Sequence, residues 1–273
     1  MIPLITLLTD FGTDDTYVGQ MKGVIAGIAP TARVIDLTHA VRPQQIEQGA
    51  FLLETAVEHV PVGAIHVAVV DPGVGTRRRA LAIHTRTGGR GQYFVGPDNG
   101  LLSCAVPQDE RPDRVVAIAL PPGVEAVALD FSSERVVSPT FHGRDLFAVA
   151  AARLAIGTPF GEIGSRVDQM IALPRFLARR QGHGRLCGRV VHIDRFGNAV
   201  TTVHASQIPS APWAMRVGRH RIETFVRTFG DGSGLVALVG SNGYVEIAEV
   251  SGDAAARLGI RMGQDVWVEA SDE

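Results

Sequence analysis

Four residues of this 273-residue chain have types and settings that could do chemistry on a small polar molecule. Asp10 closes the apolar run Pro3 to Thr9, and Asp71 closes the run Ile65 to Val70 and opens Asp71-Pro72-Gly73. Arg78 lies in the run Arg77 to Arg79, just after the Gly-rich turn. His142 stands in a loop, Ser138 to Asp145, directly before the helical pattern Leu146 to Leu154. Acids at strand ends, an arginine and a loop histidine can hold a polar ligand or move a proton. The same residues have a structural reading: Asp10 and Asp15 as helix caps, Arg77 to Arg79 as a solvated run, His142 as a cap of its own helix. On the residues alone both readings stand.

Other chemistries leave no trace. The chain has no Walker A loop, no Gly-x-Ser-x-Gly elbow and no His-Glu-x-x-His pair. Gly73-Val74-Gly75 begins like a dinucleotide fingerprint, but Arg78 occupies the third glycine position and the following residues do not open a helix, so no nicotinamide cofactor is expected. Cys104 and Cys187 are the only cysteines, too few and too far apart for a zinc site or a disulfide framework. A metal-dependent hydrolase could recruit Asp10, Asp14, Asp15 and Asp71 as oxygen ligands, yet no His-rich spacing accompanies them. With a net charge of −2 and no basic run beyond Arg77 to Arg79, neither a nucleic-acid groove nor an anionic membrane partner is expected. The first nine residues lack a basic n-region and reach Asp10 too soon for a signal peptide or membrane span, which points to the cytoplasm.

Apolar runs of strand length alternate with helix-period segments over residues 1–157, as βαβ units require. Strands are expected at Pro3 to Thr9, Arg33 to Leu37 and Ile65 to Val70. One intervening helix has Asp14 and Asp15 as caps and Tyr17, Met21, Val24, Ile25 and Ile28 on one face; the other carries Ile46, Ala50, Leu53 and Val57. Such a sheet binds ligands beyond the carboxyl ends of its strands, where Asp10 and Asp71 fall. Residues 158–184, mixed in Pro, Gly and polar types, read as a linker. Residues 185–273 break into short, turn-bounded strands. The expected fold is therefore an α/β N-terminal domain with a Rossmann-like sheet, followed by a smaller all-β barrel.

A further observation is the order of particular strings along the chain: Thr9-Asp10-Phe11-Gly12 with Asp15-x-Tyr17-Val18-Gly19, Val70-Asp71-Pro72-Gly73-Val74-Gly75-Thr76, Gly96-Pro97-Asp98-Asn99-Gly100, Thr140-Phe141-His142-Gly143-Arg144-Asp145, Asp194-x-Phe196-Gly197-Asn198 and Gly240-Ser241-Asn242-Gly243-Tyr244. In these the chain resembles the S-adenosylmethionine hydroxide adenosyltransferase family, relatives of the fluorinases and chlorinases. The resemblance implies hydrolysis of S-adenosyl-L-methionine to adenosine and L-methionine without a metal or a cofactor, in a homotrimer whose substrate sits between domains of neighbouring subunits. It implies Asp71, Arg78 and His142 as the water-activating set. It places Asp10 on the ribose diol, Asp194 and Ser241 on the methionine amine and carboxylate with Asp15 and Tyr17 nearby, and Asn198 and Phe229 on adenine. Val250 stands where the family pattern puts an Asn at the adenine edge. Gly143 and Gln44 replace the Ser and Trp of halogenating relatives, which disfavours halide binding. A non-catalytic nucleoside or S-adenosylmethionine sensor would keep Asp10, Asp194 and Asn198 without needing Asp71, Arg78 and His142 together.

Overall fold

The computed structural model describes residues 2–86, 91–132, 136–208 and 213–270. Their contacts divide the chain into two compact units, Met1–Arg175 and Phe176–Glu273. The stretch expected as a linker is not bare chain. It contains two strands of the first unit, and the division falls at Arg175 rather than at either end of that stretch.

The first unit runs β1 (Leu4–Thr9), α1 (Tyr17–Ile28), β2 (Arg33–Thr38), α2 (Ile46–Val57), β3 (Ile65–Val69), β4 (Ala80–Thr85), β5 (Gln92–Pro97), β6 (Val116–Ala119), β7 (Val124–Ala128), α3 (Ala148–Ala155), β8 (Ser165–Val167) and β9 (Gln169–Ala172). Seven of the strands form one sheet in the order β2-β1-β3-β5-β4-β7-β8. The first four are parallel and the last three antiparallel, so the sheet is mixed rather than a purely parallel Rossmann sheet. The direction reverses because β4 and β5 form an antiparallel pair with no crossover helix between them.

The chain leaves β1 through α1 to reach β2 on one side, and returns through α2 to place β3 on the other. The carboxyl ends of β1 and β3 thus flank the point where the winding changes direction, the place where open α/β sheets bind ligands. Met21 and Ile25 of α1 and Val149 to Ala152 of α3 pack with Ile5, Leu7, Val67 and Val69 of the sheet. Gly49 of α2 lies against Leu8 and Val70, on the opposite side chains of the pleat. Helix α1 begins one residue after Thr16, and no side chain caps it, so the capping expected of Asp14 and Asp15 is not what starts this helix. The amphipathic stripe fixes it instead, with Val18, Met21 and Ile25 buried.

The second unit comprises β10 (Arg179–Arg180), β11 (Leu186–Ile193), β12 (Ala199–His204), β13 (Trp213–Val217), β14 (His220–Ile222), β15 (Leu235–Val239), β16 (Tyr244–Glu249), α4 (Ala254–Leu258) and β17 (Asp265–Ala270). The strand order is β14-β13-β17-β11-β12-β16-β15, antiparallel throughout, with β10 paired to β11. The chain after β14 nearly closes the barrel: Val226 N–H donates to Ala237 of β15 at 3.0 Å, and Ala237 N–H donates to Thr224 at 2.9 Å. Leu186, Val190, Met215, Val245, Ile247 and Val266 fill its interior.

One core group makes the first unit sensitive to acid. His66 on β3 is fully buried, bonds Thr6 Oγ1 through Nδ1 at 2.8 Å and stacks on Phe94, while its Nε2 has no partner among the described residues. Burial pulls its pKa down to about 4. Because the folded value lies below the unfolded one of about 6.5, the unfolded chain binds the extra proton, and stability present above that pH is lost as pH falls towards 4. The contribution at stake is about 3 kcal/mol. Denaturant unfolding at pH 7, 5 and 4 should show a shallower pH dependence for His66→Gln than for the parent chain; parallel curves would contradict this.

Candidate active site

Asp71 follows the end of β3, and the turn after it doubles back so that Arg78 returns to it. Val74 N–H donates to Asp71 O at 3.2 Å, Thr76 Oγ1 donates to Gly73 O at 2.7 Å, and Arg78 N–H donates to Thr76 Oγ1 at 3.3 Å. The guanidinium then grips the carboxylate with two donors, Nε to Oδ1 at 3.0 Å and Nη2 to Oδ2. Both side chains are nearly buried, Asp71 at 5 % exposure and Arg78 at 9 %. A carboxylate this deep requires such a partner, since an unpaired buried charge is costly. The three consecutive arginines separate cleanly: Arg77 is exposed, Arg79 pairs with Asp98 through Nε at 2.8 Å, and Arg78 turns inward over the Phe147 ring.

The same Nη2 reaches His142 Nδ1 at 2.8 Å. A guanidinium can only donate, so Nδ1 accepts and the neutral imidazole carries its proton on Nε2. Burial and then the Arg78 charge hold the His142 pKa below the ordinary histidine value, against weaker opposite pulls from Asp71 and Asp145. His142 precedes a wide π-type turn, Gly143–Phe147, which leads into α3; the expected helix thus starts with an irregular turn, and His142 does not cap it with its side chain. Asp145 inside that turn is buried and accepts from Ser138 N–H at 2.9 Å and from Arg144 Nε at 2.8 Å, which pins the loop carrying His142.

Asp10 stands one residue beyond β1, half-buried. Its Oδ2 accepts from Gln44 N–H at 2.8 Å, and Gln44 adopts a left-handed φ of 66° to present that donor. Burial raises the Asp10 pKa and Asp71 adds to the rise, partly opposed by the Gln44 hydrogen bond. Beyond Asp10, Phe11, Tyr17 and Phe141 form an aromatic trio with ring centroids 5.2 to 5.9 Å apart. Gly143 is wedged beside it: an added Cβ would lie 3.2 Å from the Phe141 ring and 3.3 Å from Met21 Sδ. Asp15 is exposed in the preceding loop, and Tyr17 is 45 % exposed.

In the second unit Asp194 organises its own loop. Oδ1 accepts from the backbone of Phe196 and of Asn198, each at 2.9 Å, and Oδ2 accepts from Asn198 Nδ2 at 2.9 Å. Asn198 is buried, whereas Phe196 at the tip is 75 % exposed. Ser241 is exposed in the β15–β16 turn, and burial together with Asp194 raises the pKa of Glu246 on β16. Phe229 is partly exposed in a short 3-10 turn, Phe229–Asp231, and Val250 packs against Val226, Val236, Leu238 and Ala248. Asp71, Arg78, His142 and Asp10 therefore converge in the first unit, and Asp194 and Asn198 in the second; Val250 belongs to a separate apolar cluster and Phe229 to a separate turn.

Three contributors were not singled out by residue type. The Gln44 amide is a backbone donor, which any residue could supply. Asp145 sits inside a recognised string, but its grip on Ser138 depends on the irregular turn. The exposure of Phe196 follows from the Asp194 loop and from Gly197, whose positive φ turns the chain there. Among the described residues no three or more His, Cys, Asp or Glu side chains converge to hold a metal ion, and no helix is long and apolar enough to cross a membrane.

Comparison with known proteins adds a second line of observation. Residues 5–164 match the SAM hydroxide adenosyltransferase N-terminal domain and residues 188–267 the C-terminal domain. The chain is 41 % identical over 272 residues to an (R)-S-adenosyl-L-methionine hydrolase of Salinispora arenicola, covering 98 % of each chain. A fluorinase of Actinoplanes is more distant, 25 % identical with 97 % of each chain covered. The crystal structure of an uncharacterised conserved protein from Thermotoga maritima superposes with a TM-score of 0.83 at 32 % identity, covering 97 % of this chain and all of that one.

The buried pair makes a stability prediction independent of any activity. Arg78→Met should destabilise the fold by about 3–5 kcal/mol because it strands the Asp71 charge. Adding Asp71→Asn to that variant should then cost less than Asp71→Asn costs alone, with a coupling of at least about 1 kcal/mol in denaturant unfolding. Strict additivity would show that the two groups do not depend on one another.

Proposed function

Because the chain belongs to the SAM hydroxide adenosyltransferase family, we propose that it uses water to split S-adenosyl-L-methionine into adenosine and L-methionine. The observation that carries this reading is the hydrogen-bonded set Asp71–Arg78–His142, which sits beyond the sheet's carboxyl ends beside Asp10.

The sulfonium of the substrate is already a good leaving group, so the protein must align one water behind the ribose C5′ and dispose of a proton. Asp10 takes the ribose diol: a carboxylate can accept from two adjacent hydroxyls, and Gln44 N–H fixes its orientation. Neutral His142 presents Nε2–H to the water oxygen, since Arg78 occupies Nδ1. Each Asp71 oxygen retains lone-pair capacity beyond its Arg78 bond, and the carboxylate receives the proton. A water that is bonding to carbon becomes strongly acidic, so a late transfer to a paired carboxylate suffices. Attack by neutral water carries the positive charge from sulfur to the new C–O oxygen, and loss of the proton to the Asp71 carboxylate annihilates it, a charge neutralisation that nearly buried surroundings favour over bulk water. Gly143 offers no hydroxyl for a halide and has little room for one.

The methionine and adenine ends of the substrate fall to the remaining residues. Asp194 and Ser241 take the amino-acid group with Asp15 and Tyr17 nearby, and Asn198 and Phe229 take adenine, with Val250 at its edge. We place these barrel residues on a neighbouring subunit of a homotrimer. What supports this is the family's pattern of shared sites.

Incubation of the protein with S-adenosyl-L-methionine and EDTA should yield adenosine and methionine in equal amounts; no adenosine, or adenosine only after a divalent metal is restored, would sink the reading. Asp71→Ala, Arg78→Ala and His142→Ala should each lower kcat by about 100-fold or more with KM little changed, whereas Asp10→Ala should chiefly raise KM. Since protonated Nδ1 would face the guanidinium, activity should fall on the acid side of a His142 limb lying below the ordinary histidine pKa. Mixed and reassembled His142→Ala and Asp194→Ala proteins should regain activity; exchanged but dead assemblies would contradict site sharing.

A further inference from the structure

No helix follows the Gly73-Val74-Gly75 string, and the chain runs from it through Arg78 into β4. Its second glycine meets the other loop of the site. Gly75 has a φ of +77°, and a Cβ added there would lie 2.6 Å from the backbone oxygen of Pro139, closer than real Cβ atoms come. We propose that Gly75 is a positioning residue whose missing side chain lets the Asp71–Arg78 turn rest on the Pro139 carbonyl, and that this contact sets the reach from Arg78 to His142. The proposal rests on the reading that these two side chains act on one water.

Neither side of the contact can yield independently. Gly75 is bracketed by the Thr76–Gly73 bonds and by Arg78 N–H on Thr76 Oγ1, so a retreat of the turn moves Arg78. Pro139 has its φ locked by its ring. It lies between Ser138, held by Asp145 at 2.9 Å, and Phe141, whose N–H donates to Ser138 O at 3.4 Å, so a retreat of the carbonyl moves His142. A methyl group on Gly75 must therefore spread the two loops. Spreading by roughly 0.5 Å is enough to take the 2.8 Å contact between Arg78 and His142 past the ~3.2 Å limit of an ordinary hydrogen bond.

The test compares Gly75→Ala with Gly123→Ala. Gly123 has a similar φ of +83° with nothing within 4 Å of an added Cβ, so it supplies the backbone strain without the collision. The His142 ring is followed by NMR across pH, assigned with His142→Gln, and kcat and KM are measured in parallel. Gly75→Ala should move the His142 titration upward towards the ordinary value, as the guanidinium draws away, and should lower kcat roughly 10- to 100-fold with KM changed less than about threefold. Gly123→Ala should change neither the titration nor kcat. An unchanged titration in Gly75→Ala, or equal shifts in both variants, would overturn the proposal. Should Gly75→Ala not fold, Pro139→Gly frees the braced carbonyl and should shift the titration the same way by a smaller amount; no shift would be equally fatal. If the parent protein does not hydrolyse S-adenosyl-L-methionine, the functional reading falls, while the titration still decides whether Gly75 sets the Arg78–His142 reach.

Discussion

The guanidinium of Arg78 bonds to two groups that lie far apart in the sequence, a carboxylate seven residues before it and an imidazole 64 residues after it. Most of the site depends on that one planar fork. Without it Asp71 could not remain a buried carboxylate, the turn from Asp71 to Arg78 would lose its closing bond, and His142 would be free to choose either tautomer. A lysine could not substitute, because a point charge cannot hold both carboxylate oxygens and the ring nitrogen in fixed directions. The fork also pairs the charges of two nearly buried side chains, Asp71 and Arg78, before any ligand arrives.

The sheet brings these groups together by its winding. α1 and α2 carry the chain to opposite sides of β1, which leaves the ends of β1 and β3 adjacent and bare. Asp10 and Asp71 occupy those ends, and this part of the arrangement was legible from two apolar runs each ending in an acid. The periodicity of α1 and α2 was legible for the same reason: a buried stripe repeats at helical spacing whatever caps the helix. The antiparallel half of the sheet was not, since β4 and β5 read individually like any other buried strand and only their pairing shows their direction.

Backbone geometry removes one of the readings that the residue types alone left open. Asp10 and His142 could each have been helix caps; in the structure Asp10 accepts from Gln44 and His142 accepts from Arg78, and neither uses its side chain to cap. Neither partner is deducible from spacing, because one is a main-chain amide in a left-handed conformation and the other depends on a turn that reverses direction. Val250 is similar: its pattern position suggests a polar edge, while its side chain joins a small apolar cluster with Val226 and Leu238. Resemblance implied the roles of the barrel residues, and the structure adds that both Asp194 oxygens accept hydrogen bonds within its own loop.

The central claim is that Asp71 holds and deprotonates water and does not itself attack carbon. Stereochemistry at C5′ separates the two. S-adenosyl-L-methionine bearing a single deuterium of known configuration at C5′ should give adenosine of inverted configuration, the outcome of one in-line displacement by water. Net retention would mean two displacements through an adenosyl ester on Asp71, and would contradict the account.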